Sequence, residues 1–276
     1  MQFAFVKMQG AGNQIVVVDQ RGTGVDPPTA EILRELGGCA RGPGFDQLMW
    51  LSAPRDASMT ASYRVFNADG SEVEQCGNGV RCVALLLARQ QPGKRQFMLE
   101  SPAGPVEARV LDDNRVAVNM GAPVFDPARV PFVAAQEADP YALDVAGRTV
   151  EVAVLSMGNP HCVLDVDDVA TADVGRLGPL LEHHPRFPAA VNVGFMQRRD
   201  RAHIDLRVHE RGVGETLACG TGACAAVVAG RRRGQLDEEV TVQLPGGQLM
   251  VSWRGDAAPV WLTGSAEVIY EGTIDL

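Results

Sequence analysis

The chain has 276 residues, 46% of them hydrophobic, with 25 lysines plus arginines against 34 aspartates plus glutamates and a net charge of −9. That length suits two modest domains or one large one with a proper core, and the acidic balance argues against a nucleic-acid partner. Residues 1–20 lack the basic start and apolar run of a signal peptide, and nowhere do eighteen apolar residues follow one another, so the expectation is a cytoplasmic protein with no membrane partner.

In chain order, "GNQIVVVD" (12–19) reads as a Gly-Asn turn feeding an apolar strand. "EQCGNG" (74–79) then leads into "VRCVALLLARQ", a helix apolar almost all round through its first two turns, which must be buried on every side. "PVEARV" and "RVAVNM" alternate as strands, and the proline-rich "GAPVFDPARVPF" (121–132) marks a crossover. The second half starts over: "GNPHCVLD" (158–165), "LACGTG" (217–222), then a second apolar helix, "ACAAVVAGRRR". Its closing Arg231, Arg232 and Arg233 are expected to form a solvated helix C-terminus. "SAEVIYEGTIDL" lies past the end of the repeat and is expected to return to the first domain.

The restart is a duplication. A shift of 143 positions matches Arg64 with Arg207, Glu72 with Glu215, Cys76 with Cys219, Gly77 with Gly220 and Gly79 with Gly222. The expected fold is therefore α+β, with two pseudo-symmetric domains, each a mixed β-sheet or barrel wrapped around one central buried helix. The expected limits are 1–119 plus a returning strand at 265–276 for the first half and 120–264 for the second, with an active site in the cleft between them.

Six cysteines, at 39, 76, 82, 162, 219 and 224, in a reducing compartment point away from a disulfide framework. Their C-x5-C and C-x4-C gaps fit no zinc motif, so no metal is expected. Only Lys7 and Lys94 could offer an amine for a pyridoxal Schiff base, and neither is well set for it, so no cofactor is expected. Cys39, Cys82, Cys162 and Cys224 read as small core hydrophobes. Cys76 and Cys219 read otherwise, because each stands at a helix start followed by Gly-x-Gly. Unsatisfied N–H groups there are expected to lower a thiol pKa and to receive a carboxylate. One cysteine on each side of a stereocentre suits a two-base inversion, one thiolate removing a proton while the opposite thiol returns one. A C-x4-C redox couple of Cys219 and Cys224, or a metal-stabilised binding module, is the alternative from outside enzymology. "GTGACA" fits a dinucleotide fingerprint but follows no buried strand.

Taken together, "GAGNQIVVVD", "RGPGFDQL", "FNADGSEVEQCGNGVRC", "GNPH", "VNVGF" and "ERGVGETLACGTGACAA" resemble the diaminopimelate epimerases over essentially the full length. Those enzymes interconvert LL- and meso-diaminopimelate without a cofactor, on the route to lysine and, in bacteria, peptidoglycan. Proline and hydroxyproline racemases share the fold and form the enzymatic alternative, but their first element reads Cys-Gly-His-Gly. The resemblance implies Cys76 and Cys219 as the acid/base pair, with Gly77, Asn78, Gly220 and Thr221 on the carboxylate at the reacting centre. It implies Asn13 and Gln47 nearby, and Asn67, Asn159, Asn192, Glu210 and Arg211 on the distal amino-acid end. His161 and Glu210 would tune the thiols. Read by themselves, Asn13 and Asn67 also suit turns, His161 a half-buried hydrogen-bonded histidine, and Glu210 with Arg211 a surface pair. The family commonly has aspartate where this chain has Gln14. A homodimer through outer strands is also implied, with Tyr270 a candidate contact.

Overall fold

The computed structural model describes residues 2–73 and 76–275. Glu74 and Gln75 of "EQCGNG" lie outside the described residues. The chain forms two compact units, one of Met1–Asn119 with Thr263–Leu276, the other of Met120–Leu262.

The first unit runs β1 (Gln2–Gly10), β2 (Asn13–Asp19), α1 (Ala30–Gly37), β3 (Gln47–Ser52), β4 (Ala61–Asn67), β5 (Glu72–Val73), α2 (Gly77–Gln90), β6 (Gln96–Ser101), β7 (Gly104–Val110) and β8 (Val116–Asn119). The second runs β9 (Tyr141–Val145), β10 (Arg148–Ser156), β11 (Pro160–Asp165), α3 (Val174–Glu182), β12 (Asn192–Arg198), β13 (His203–Glu210), β14 (Gly214–Thr216), α4 (Gly220–Arg232), β15 (Glu239–Leu244) and β16 (Gly247–Ser252), and the unit boundary falls within β17 (Trp261–Gly264). Finally β18 (Glu267–Asp275) pairs antiparallel along β1. The architecture is α+β, with few helices and mixed sheets.

The pairing pattern is written twice. β2–β3 and β11–β12 are parallel, β3–β4 and β12–β13 antiparallel, and β4–β6 and β13–β15 parallel. Parallel neighbours need a crossover, which α1 and α3 supply for the first of these pairs and α2 and α4 for the last. The apolar helices dictate the rest. α2 packs against β1, β2, β3, β7 and β8, and α4 against β10, β11, β12, β13 and β16. Residues Gly77 through Leu87 of α2 and Gly222 through Gly230 of α4 are all buried. A helix with no polar face has no stable place other than inside a wrapped sheet.

Glycine at 79 lets α2 begin so close to the sheet, because a Cβ there would stand 2.3 Å from Met49 Sδ of β3. The repeated Arg64–Glu72 and Arg207–Glu215 pairs brace β5 and β14, the short strands before each cysteine, with shortest contacts of 2.6 Å in both copies.

Two sequence expectations are corrected. At the end of α4, Arg232 and its C-cap Arg233 form a clasp and not a solvated end. Arg233 pairs with Asp139 at 2.6 Å and Asp165 at 3.1 Å, while Arg232 pairs with Glu137 and covers the Phe125 ring. Carboxylates folded back from the 137–139 segment and β11 outcompete water for these guanidinium groups. Cys39, expected in the core, is exposed, since it lies in the loop after α1 whose apolar anchor is Phe45. Cys82, Cys162 and Cys224 are fully buried, and burial pushes the Cys82 thiol up to about 12. Among the described residues no helix is long and apolar enough to cross a membrane.

Candidate active site

In the first unit Cys76, Gln47 and Asn67 form one hydrogen-bonded chain. Cys76 is the N-cap of α2, where its sulfur accepts the Gly79 N–H at 3.2 Å. The helix start thus presents a first-turn donor to the sulfur, as a cap requires. The thiol in turn donates to Gln47 Oε1 at 2.5 Å. Gln47 Nε2 donates to Asn67 Oδ1 at 3.2 Å, and Asn67 Nδ2 to Ser71 Oγ at 3.1 Å. Strand pairing makes this possible: Gln47 stands opposite Asn67 across β3 and β4.

Asn13, at the start of β2, is steered by Asp46, whose Oδ2 accepts from Asn13 Nδ2 at 3.4 Å and from the Gln14 N–H at 2.7 Å. The Gln14 side chain itself is exposed, so the bond its position makes is one that any non-proline residue supplies. Asn13 Oδ1 is buried with no hydrogen-bond partner among the described residues. Such an acceptor costs about 1–3 kcal/mol when left unmet. Asn78 is buried in the first turn of α2, and its Oδ1 accepts from Arg81, a fully buried guanidinium that also donates to the Ser265 carbonyl. The Asn78 side chain is therefore committed within the protein, and its Oδ1 faces a cation.

The second unit builds an equivalent but differently charged array. Cys219 caps α4 and is almost fully buried. Its sulfur lies 3.6 Å from Thr221 Oγ1, which accepts from Asn159 Nδ2 at 3.4 Å. Asn159 Oδ1 meets His161 Nε2 at 2.9 Å. Burial, with the Arg211 charge second, pushes His161 down to about 3, so it is a neutral imidazole at ordinary pH. Asn192 donates to the Pro160 carbonyl at 2.9 Å and accepts the Arg211 N–H at 3.0 Å. Glu210 accepts from Thr216 Oγ1 at 2.5 Å, and Arg211 donates to the Ala189 carbonyl at 3.1 Å, so the two have different partners and are not a surface pair.

The thiol at Cys219 overturns the expectation of a lowered pKa. Burial raises it well above the usual range and the Glu210 carboxylate raises it further, while the Thr221 hydroxyl and Gly222 N–H only partly offset them. Desolvating a thiolate beside a carboxylate outweighs what one helix end returns.

The sequence-derived residues thus fall into two sets. Asn13, Gln47, Asn67, Cys76, Gly77 and Asn78 lie in the first unit, and Asn159, His161, Asn192, Glu210, Arg211, Cys219, Gly220 and Thr221 in the second. Asp46 escaped the sequence reading although it sits inside "RGPGFDQL", because its role depends on β2 and β3 being parallel neighbours. Among the described residues no three His, Cys, Asp or Glu side chains gather as a metal-ligand set.

Comparison with known proteins completes the description. The family model described as "Diaminopimelate epimerase" matches residues 5–125 and 153–269. The chain is 53% identical over 282 residues to a diaminopimelate epimerase of Laribacter hongkongensis and 51% identical over 279 residues to one of Ectopseudomonas mendocina, each alignment covering 100% of both chains. Among solved structures it resembles a hydroxyproline epimerase from Agrobacterium vitis, with a TM-score of 0.73 at 16% identity over 99% of this chain and 91% of that one. It also resembles a phenazine biosynthesis protein of the PhzF family from Bacillus anthracis, with a TM-score of 0.69 at 15% identity and full coverage of both. At such identities the structures speak for the fold alone.

Proposed function

The chain belongs to the diaminopimelate epimerase family, and from that premise we propose how its residues carry out the inversion of LL- to meso-diaminopimelate. The observation that carries the reading is the pair of cysteine-capped helices, Cys76 on α2 and Cys219 on α4, each followed by Gly-x-Gly. One cysteine, as thiolate, takes the α-proton: an S–H bond forms, the C–H bond breaks, and the electron pair moves toward the carboxylate. The other, as thiol, returns a proton to the opposite face, so a C–H bond forms and the two cysteines end with their protonation states exchanged. No cofactor enters this balance. The reading requires both sulfurs to reach opposite faces of one carbon.

The carboxylate at the reacting centre is received by backbone N–H groups at Gly77, Asn78, Gly220 and Thr221, where two helix starts favour the charge that builds as the proton leaves. Asn13 Oδ1 supports a place beside the α-ammonium, since a donor from substrate would satisfy its unmet buried acceptor. Gln47 holds the Cys76 thiol, and His161 acts on Cys219 through Asn159 and Thr221. At the far end Arg211 answers a carboxylate and Glu210 an ammonium, with Asn67, Asn159 and Asn192 completing the polar lining. Glu210 also sets the proton affinity of Cys219.

Working thiols need a reducing compartment, so the reading includes the cytoplasm. It also includes a homodimer through β18, where Ile269 and Tyr270 are 52% and 45% exposed; sedimentation showing a monomer at micromolar concentration would exclude it. The deciding experiment for the activity is incubation with LL-diaminopimelate in D2O. Meso product carrying deuterium at the inverted α-carbon is expected, and absence of both product and label overturns the reading.

A further inference from the structure

One buried polar pair takes no part in the site as described. Glu182, the last residue of α3, and His209, on β13, are 5% and 7% exposed, and Glu182 Oε2 meets His209 Nε2 at 2.7 Å. The other carboxylate oxygen accepts the Gly212 N–H at 2.7 Å. Burial alone would raise the Glu182 pKa, but the Gly212 N–H, His209 and the neighbouring His183 outweigh it and hold the carboxyl below its usual range, so it is charged. The imidazole fits because residue 178 is glycine, where a Cβ would stand 2.6 Å from His209 Cγ.

The other copy shows that the fold does not need this pair. His209 aligns with Phe66, which packs with Leu33 and Leu36 of α1 in an apolar cluster. A buried hydrogen-bonded polar pair where the duplicate uses hydrocarbon adds little to stability, so its retention points to another role. That role lies one bond away. Gly212 follows Glu210 and Arg211 and holds a positive φ of 74°. Glu182 therefore grips the turn from below at Gly212, while Asn192 grips it at the Arg211 N–H.

We propose that Glu182, locked by His209, is a positioning residue for recognition of the substrate's distal amino-acid end: it fixes the turn that carries Glu210 and Arg211 and does not act on the proton transfer. This rests on the reading of those two residues given above. Binding groups preset on a rigid turn lose less freedom when the ligand arrives, so their displacement is felt in substrate binding before it is felt in turnover.

The test is steady-state kinetics on LL-diaminopimelate with Glu182→Ala, Glu182→Gln, Arg211→Ala and the Glu182→Ala/Arg211→Ala double variant. Glu182→Ala is expected to raise KM about 10- to 100-fold with kcat within about threefold. Glu182→Gln keeps an acceptor for Gly212 but loses the charge, so a smaller rise of about 3- to 10-fold is expected. The double variant should be worse than Arg211→Ala by less than the factor Glu182→Ala shows alone, since part of that effect passes through Arg211 and the rest through Glu210. A folded Glu182→Ala protein with unchanged KM, or with kcat falling and KM unchanged, overturns the proposal. Should Glu182→Ala fail to fold, an unchanged KM in Glu182→Gln overturns it instead. If Arg211→Ala itself leaves KM unchanged, the distal-end reading falls and this inference with it; if only the Glu182 variants are silent, the inference alone falls.

Discussion

Cys76 sits half-buried at the start of α2 with an amide, Gln47, as its hydrogen-bond partner, whereas Cys219 is buried at the start of α4 beside a carboxylate and a hydroxyl. The backbone around the two is the same: N-cap, Gly-x-Gly, and a braced two- or three-residue strand just before. Only the side chains differ. Strand pairing sets Gln47 against Ile15 and Asn192 against His161, so Gln47 and Asn192 are counterparts, yet one holds a thiol and the other holds the Arg211 turn. Likewise Asn67 corresponds to Glu210, a neutral group in one half and a charged one in the other. On the function proposed above, the repeated parts serve what an inversion needs on both faces, and the parts that diverge serve what only one end of a substrate needs.

The hardest break of this comparison is removal of either sulfur. Cys76→Ala and Cys219→Ala are each expected to lower epimerisation by about 10²–10⁴-fold, measured by meso-diaminopimelate formation, because on the proposed two-base reading the loss of one sulfur leaves one face unserved. Normal turnover by either variant would end the symmetry argument.

Next comes the difference in charge. Glu210→Gln removes the second cause of the raised Cys219 pKa while burial remains, so the pH profile of Cys219 alkylation, followed by peptide mapping, should move to lower pH yet stay above that of an ordinary thiol. A profile that stays put would mean the carboxylate does not govern this thiol.

The glycines give a smaller contrast. A Cβ at Gly79 meets Met49 Sδ at 2.3 Å, but at Gly222 the nearest atom is Val208 Cγ2 at 3.1 Å. Gly79→Ala should therefore cost about 1–3 kcal/mol in urea unfolding, and Gly222→Ala clearly less. Smallest of all, the repeated ion pairs differ in surroundings. Arg64 is 45% exposed, so Arg64→Ala should cost no more than about 1 kcal/mol. Arg207 is 23% exposed and also donates to the Val169 and Ala172 carbonyls, so its removal should show the larger drop in melting temperature.

Much of this was legible in the sequence wherever a pattern repeats or a helix lacks a polar face. The two buried helices, their cysteine caps, the α+β class and the strand at the Gly-Asn turns follow from periodicity and from the shift of 143 positions. What depends on a partner brought in by the fold was not legible. Asp46 looks like any loop aspartate until β2 and β3 lie side by side, and Glu182 meets His209 across 27 residues of chain. Arg232 and Arg233 at the end of α4 read as solvated because the carboxylates that bind them lie 68 and more positions away. The direction of the Cys219 shift was missed for a related reason: a helix end is visible in sequence, but the depth of burial and the nearness of Glu210 are not.

The pairing of β18 with β1 joins Gln2 to Asp275 in one ladder. A ribosome makes β1 long before β18, so the edge of the first unit stays uncovered while residues 11–266 between them are made. The second unit, continuous from Met120 to Leu262, has all its strands before that moment. During synthesis the order of completion is thus the reverse of the order of translation, and for most of that time the unit holding Cys76 is the one with an open sheet edge for chaperones to guard.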